Sequence, residues 1–184
     1  MYEKQIKSRK VYECSFLELF EDDVLLQNGN TSKRVYVKHI GAACVLPITK
    51  DGLLVLTKQY RYPIRSISIE IPAGKKDATD ETGYDCIKRE IEEETGYQSD
   101  EFIYVYGIHN CVGYSDELIE VFIAKNCYKV DNPLPPDDDE FIELLFCTVA
   151  EALKMIKNKE ITDVKTIVAI QHYVLYEMEW SRLV

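Results

Sequence analysis

Residues 89–97, "REIEEETGY", place four glutamates in five consecutive positions and then stop at a glycine. Carboxylates gathered this densely are the hard oxygen donors that magnesium or manganese accepts. Stability alone does not account for them. Glu90 and Glu94 stand at i,i+4, where like charges cost roughly 0.2–0.5 kcal/mol on a helix. Gly96 reads as the residue just past a helix C-terminus, an end that favours cations over carboxylates. Either the segment is a solvated acidic face that tolerates the cost, or something positive binds there. Just upstream, "IPAGKK" ends a strand and supplies Ala73 and Gly74, where backbone can approach a ligand closely and offer a carbonyl oxygen.

A helix over residues 82–95 must position these groups. At about 100° per residue, Tyr84, Ile87 and Ile91 form its core face, and Glu90, Glu93 and Glu94 share a separate sector about 100° wide. Glu92 points away from that sector, and Arg89, four residues before Glu93, is suited to orient its carboxylate. The first 38 or so residues are dense in short β-type runs, "KVYEC", "FLELF" and "VLLQ", with a turn at "NGN" before "TSKRVYVKH". They predict a small antiparallel β extension over 1–38, ahead of a main domain over 39–184. In that domain "GAACVLPI" and "GLLVLTKQY" form a hairpin, "SISIEI" is a strand that stops at Pro72, and three further strands follow the helix. Thr148 with Glu151 caps a helix to about residue 158. The last helix starts near 163 and carries Val164, Ile167, Val168, Gln171, Val174, Leu175 and Met178 on one stripe. Strands on both sides of a central helix predict an α+β fold, an α/β/α sandwich on a mixed sheet.

Composition narrows the function classes. The chain of 184 residues has 46% hydrophobic and 29% charged residues, a globular balance with length for a core. A formal net charge of −10 argues against a general nucleic-acid or anionic-membrane binder. No apolar run approaches a membrane span, and "MYEKQIKSRK" lacks the apolar core of a signal peptide. The six cysteines form no CxxC pair and several sit in apolar runs, which predicts buried free thiols and a cytoplasmic location.

The longer stretch "GKKDATDETGYDCIKREIEEETGY", residues 74–97, resembles the Nudix box of diphosphate hydrolases, G then E-x7-R-E-U-x-E-E-x-G-U. Glu81, Arg89, Glu90, Ile91, Glu93, Glu94, Gly96 and Tyr97 match at fixed spacing, while six residues separate Gly74 from Glu81 where the family usually has five. "KQYRYP", "EIPAGK", "DEFIE" and "DVKTIVAI" are similar to the ADP-ribose pyrophosphatase branch, as is the β-rich extension. That resemblance implies a Nudix-type sandwich, a homodimer that exchanges the extension, and magnesium or manganese as cofactor. It implies that Glu90, Glu94 and the Ala73 carbonyl ligate metal, that Glu93 assists, and that Arg89 orients it. Arg61 corresponds to a phosphate-contacting arginine and Glu70 belongs to the same substrate side. Glu140 falls where the branch positions or deprotonates water, with Asp138 as the other acid of that loop.

The implied reaction is metal-dependent hydrolysis of a nucleoside diphosphate sugar. ADP-ribose, cut to AMP and ribose 5-phosphate, is the first candidate, and a GDP-mannose or UDP-sugar diphosphatase is the alternative. A binding module that senses a nucleotide sugar without cutting it is the alternative of another class. Where the branch carries a proline, "CVGYSDE" has Val112, while Gly113 and Glu117 are kept as substrate contacts. Valine frees a backbone angle and restores an N–H donor at that wall.

Overall fold

A computed structural model describes residues 2–77, 82–136 and 140–178, without the side chains of Glu177 and Met178. The chain divides into two compact units, residues 1–41 with 109–119, and residues 42–108 with 120 onward.

In the first unit, β1 (Lys4–Glu13), β2 (Leu17–Leu25) and β3 (Thr31–His39) make a three-stranded antiparallel sheet in the order of the chain. The runs "FLELF" and "VLLQ", expected as separate pieces, are one strand. Of the three acidic residues between them, Asp22 is buried: its Oδ2 accepts a hydrogen bond from Gln5 Nε2 at 2.7 Å, while its Oδ1 has no hydrogen-bond partner among the described residues. Gly29, at φ +84°, makes the turn into β3. Phe20 and Tyr36 stack across β2 and β3 with centroids 5.5 Å apart. The stretch 111–117 is clipped to β3: Val37 N–H donates to Tyr114 O at 2.7 Å, Asp116 N–H to Val37 O at 3.1 Å, and His39 N–H to Asp116 Oδ1 at 2.8 Å.

The second unit is built on β4 (Ala42–Thr49), the "GAACVLPI" run, buried continuously from Ala42 to Ile48. An unbroken apolar strand is covered on both faces, and here α1 and α3 both pack on it. The remaining elements in order are β5 (Leu54–Arg61), β6 (Ser66–Glu70), β7 (Ala73–Lys75), α1 (Gly83–Thr95), β8 (Tyr97–Gln98), β9 (Glu101–His109), β10 (Leu118–Lys129), β11 (Ile142–Cys147), α2 (Val149–Lys157) and α3 (Val164–His172). The mixed sheet runs β11-β5-β4-β10-β8, with β6 beside β5, β7 beside β4 and β9 beside β10. It is the α+β sandwich that the sequence predicts. Ala43 and Val45 of β4 meet Cys86, Ile87 and Ile91 of α1 and Phe122 and Ala124 of β10 in one apolar cluster. Thr148 and Glu151 form the expected capping box on α2.

Two helical faces differ from the periodicity. Tyr84, expected in the core, is 43% exposed and lies edge-on to Phe102, because α1 turns a different arc inward. In α3 the buried residues are Lys165, Thr166, Ala169 and Ile170, while Val164 and Leu175 of the expected stripe are exposed. Polar contacts fix that register: Thr166 Oγ1 accepts from Ile71 N–H at 2.8 Å, and Lys165 is ion-paired to Glu70. After His172 the chain continues as a wider, π-type turn over Tyr173–Met178. All six cysteines are free; Cys44, Cys86, Cys127 and Cys147 are buried. Among the described residues no helix is long and apolar enough to cross a membrane.

Candidate active site

The helix that carries the glutamates is held at both ends. Thr82 caps α1 by accepting from Asp85 N–H at 3.1 Å, and Gly96, in the left-handed region at φ +69°, returns its N–H to Glu92 O at 2.8 Å. Its buried arc runs through Cys86, Glu90, Gly83, Ile87 and Ile91. Glu90 is therefore part of the core-facing arc, 8% exposed, and not in a separate polar sector. The reason lies in β7. A Cβ built on Gly74 would stand 1.7 Å from Glu90 Oε1 and 1.9 Å from Glu90 Cδ, so the glycine leaves the space that the carboxylate fills.

Arg89 Nη1 lies 2.8 Å from Glu90 Oε1 and donates to Glu93 Oε2 at 2.7 Å, one guanidinium across two carboxylates. The Ala73 backbone acts on the Glu94 carboxyl and partly offsets its rise. Glu92 faces elsewhere: its oxygens accept from Leu134 N–H at 3.1 Å and from Gln98 Nε2 at 2.9 Å. From 46 positions further on, Glu140 joins Glu93 and Glu94 in a cleft of about 440 Å3 floored by Pro136 and Phe141. Asp138 and Glu81 lie outside the described residues.

The electrostatics are those of negative charge held together against its own repulsion. Burial, with help from Glu93 and Glu140 and against Arg89, pushes the Glu90 carboxyl up to about 7. Burial, then the charges of Glu90 and Glu140, raises Glu94 well above the usual carboxylate range. Glu70 goes the other way. Burial would raise it, but the hydrogen bonds from Arg61 and the Lys165 charge carry it down to about 2. Arg61 Nε and Nη2 each donate to Glu70 at 2.8 Å, a bidentate fork. The Arg61 charge also acts on Glu94.

The geometry thus brings Arg61, Glu70, Ala73, Arg89, Glu90, Glu93, Glu94 and Glu140 into one unit. Gly113 and Glu117 belong to the other unit. There, among the described residues, Gly113 has no heavy atom beyond its chain neighbours within 4 Å of where a Cβ would stand, and Glu117 Oε1 lies 3.6 Å from His39 Nδ1. Sequence reasoning missed Lys165 and the Gly74 cradle. A lysine between Asp163 and Thr166 at a helix start, and a glycine inside "EIPAGK", were the signals available.

The sequence profile of the NUDIX domain matches residues 37–168. A methanol dehydrogenase activator of Bacillus methanolicus is 39% identical over 175 residues, covering 95% of this chain and 94% of that protein. An ADP-ribose pyrophosphatase of Bacillus subtilis (strain 168) is 37% identical over 175 residues, with the same coverage. A GDP-mannose pyrophosphatase of Yersinia enterocolitica is 30% identical over 168 residues, covering 85% of this chain and 86% of that protein. The crystal structure of an ADP compounds hydrolase superposes with a TM-score of 0.80 over 99% of this chain and 95% of that one; at 18% identity it speaks for the fold alone. With the profile spanning well over half its length and an acidic helix in the matching place, this chain belongs to the Nudix hydrolase family, in its ADP-ribose pyrophosphatase-like branch.

Proposed function

We propose that this protein hydrolyses the diphosphate bond of a nucleoside diphosphate sugar, with ADP-ribose the preferred substrate and magnesium or manganese the cofactor. The observation that carries this is the grouping of Glu90, Glu94 and Glu140: burial first, and then one another's charge, raises the Glu90 and Glu94 carboxyls, and a bound cation would relieve both costs. Among the described residues no three His, Cys, Asp or Glu side chains converge closely enough to enclose an ion alone. A metal held here would therefore draw further ligands from water and substrate. Magnesium commonly takes one or two carboxylates and completes its shell with water and substrate phosphates, so these residues fit it. When bound, the ion neutralises the diphosphate and makes water acidic enough to supply a nucleophile.

The chain's own groups have distinct parts in this proposal. Glu90 and Glu94 of the rigid helix α1, with the Ala73 carbonyl of β7, would hold the metal. Arg89 keeps Glu93 beside them, oriented by its guanidinium. Arg61 presents its remaining N–H groups to a phosphoryl oxygen while Glu70 holds its other edge. Glu140, across the cleft, takes the proton of the attacking water, with Asp138 the alternative base. Gly113 and Glu117 are carried as substrate contacts on the resemblance, as are a cytoplasmic location and a homodimer built through residues 1–38.

A panel of ADP-ribose, GDP-mannose and UDP-sugars, compared by kcat/KM with magnesium and with chelator, tests this reading. ADP-ribose is expected to lead, giving AMP and ribose 5-phosphate. A GDP-mannose or UDP-sugar value more than about tenfold higher overturns the substrate, absent turnover overturns the hydrolase, and turnover undiminished in chelator overturns the metal. The similarity to the methanol dehydrogenase activator favours a second reading, in which the chain raises a dehydrogenase's turnover. Adding the protein to methanol dehydrogenase, with and without magnesium, separates the two.

A further inference from the structure

The motif "DVKTIVAI" carried part of the family resemblance yet has no part in the chemistry above. Its Lys165 is 7% exposed and is the second residue of α3, at the positive end of the helix dipole. A buried ammonium there is opposed by desolvation and by the dipole, so its retention asks for a reason. Its partners are Asp163 Oδ1 at 3.1 Å and Glu70 Oε2. Asp163 is itself fixed as the cap of α3, accepting from Thr166 N–H at 3.0 Å. Glu70 in turn forks Arg61 through Nε and Nη2, and among the described residues Nη1 has no hydrogen-bond partner. Arg61 is 41% exposed at its side chain while Glu70 is 6% exposed, so the chain of charges runs from the interior to the site.

We propose that Lys165 is a positioning residue for Arg61, acting through Glu70: it pins the carboxylate that locks the guanidinium edge-on and so presents Nη1 to the substrate diphosphate. Four charges, two of each sign, cancel within the interior end of this relay. Without Lys165, Glu70 is held by Arg61 alone, and the arginine's torsions regain the freedom that preorganisation had removed. The proposal rests on the reading of Arg61 as a diphosphate contact.

The test is a double-mutant cycle read by binding, which does not require turnover. Calorimetry with ADP-ribose in chelator gives Kd for wild type, Arg61→Ala, Lys165→Met and the double variant. Melting curves verify the fold, and Lys165→Gln is read by the same criteria if Lys165→Met fails to fold. The relay predicts that Lys165→Met weakens binding about tenfold in the wild-type background and less than about twofold once Arg61 is alanine. Equal losses in both backgrounds mean that Lys165 acts by its charge or through the fold, and overturn the relay. Wild-type affinity in Lys165→Met overturns it too. Absence of binding and of magnesium-dependent turnover in the wild type is a different result, which removes the functional reading first and the relay with it.

Discussion

Replacing Gly74 with alanine adds one methyl group, and the structure says where it goes. Its Cβ would stand 1.7 Å from Glu90 Oε1 and 2.5 Å from Glu90 Oε2. Ordinary contact needs about 3.5 Å, so the carboxylate must retreat by nearly 2 Å. The backbone does not object, since Gly74 lies outside the left-handed region. Two small stability effects then nearly cancel: alanine stabilises by about 0.4–1 kcal/mol through the unfolded chain, and an off-rotamer glutamate costs about 0.5–1.5 kcal/mol. At this length 1 kcal/mol is roughly 2–4 °C in Tm, so the melting point should move by only a few degrees. Catalysis has no such cancellation, because a misplacement of about 1 Å already costs about a hundredfold. The expected result is therefore a folded protein whose magnesium-dependent kcat/KM is down at least about a hundredfold. Steady-state kinetics beside thermal unfolding reads both. A variant within about tenfold of wild type would refute the claim that Glu90 must sit where it does.

Glu90→Gln and Glu94→Gln should each lower kcat by about a hundredfold or more, while Glu92→Gln stays within about threefold because its oxygens serve Leu134 and Gln98. Similar losses from all three would mean that the helix arc does not sort them. Glu140→Gln should depress kcat with KM held, since a base acts mostly in the transition state; a rise in KM alone would make Glu140 a substrate contact. Glu70, held at about 2 against an ordinary 4.5, contributes stability that is full above pH 4.5 and lost as pH falls towards 2. The full shift is on the order of 3 kcal/mol, so denaturant unfolding should show that loss in wild type and a flatter acid limb in Glu70→Gln.

How much of this was legible in the sequence depended on whether the signal was local. The Gly96 stop, the Thr148–Glu151 box and the β4 run each depend on neighbours within a few residues, and each is where spacing put it. The arc of α1 is not local. Counting at 100° per residue ranked Tyr84 with Ile87 and Ile91, but a helix turns inward whatever its partner surface admits. Gly74 admits Glu90, so Tyr84 rotates out to 43% exposure. The stripe on α3 failed for the same cause. A buried Lys165 paired to a glutamate 95 positions away outweighs the hydrophobic pattern, and no periodicity count weighs a partner so distant. Glu140 was found only by family resemblance, because nothing near it in the chain announces the helix it faces.

The distribution of thiols gives this molecule a built-in reporter of local opening. Burial pushes Cys44 up to about 12 and Cys127 and Cys147 up to about 11, so at neutral pH these sulfurs are both covered and protonated. With Cys86 they all belong to the unit that carries the acidic helix, whereas exposed Cys14 and half-buried Cys111 belong to the other. An alkylating reagent should therefore count two quick sulfurs from one unit, then wait on the other to unfold before reaching four more. The lag between the phases times the breathing of the β4 core without any label having been engineered into it.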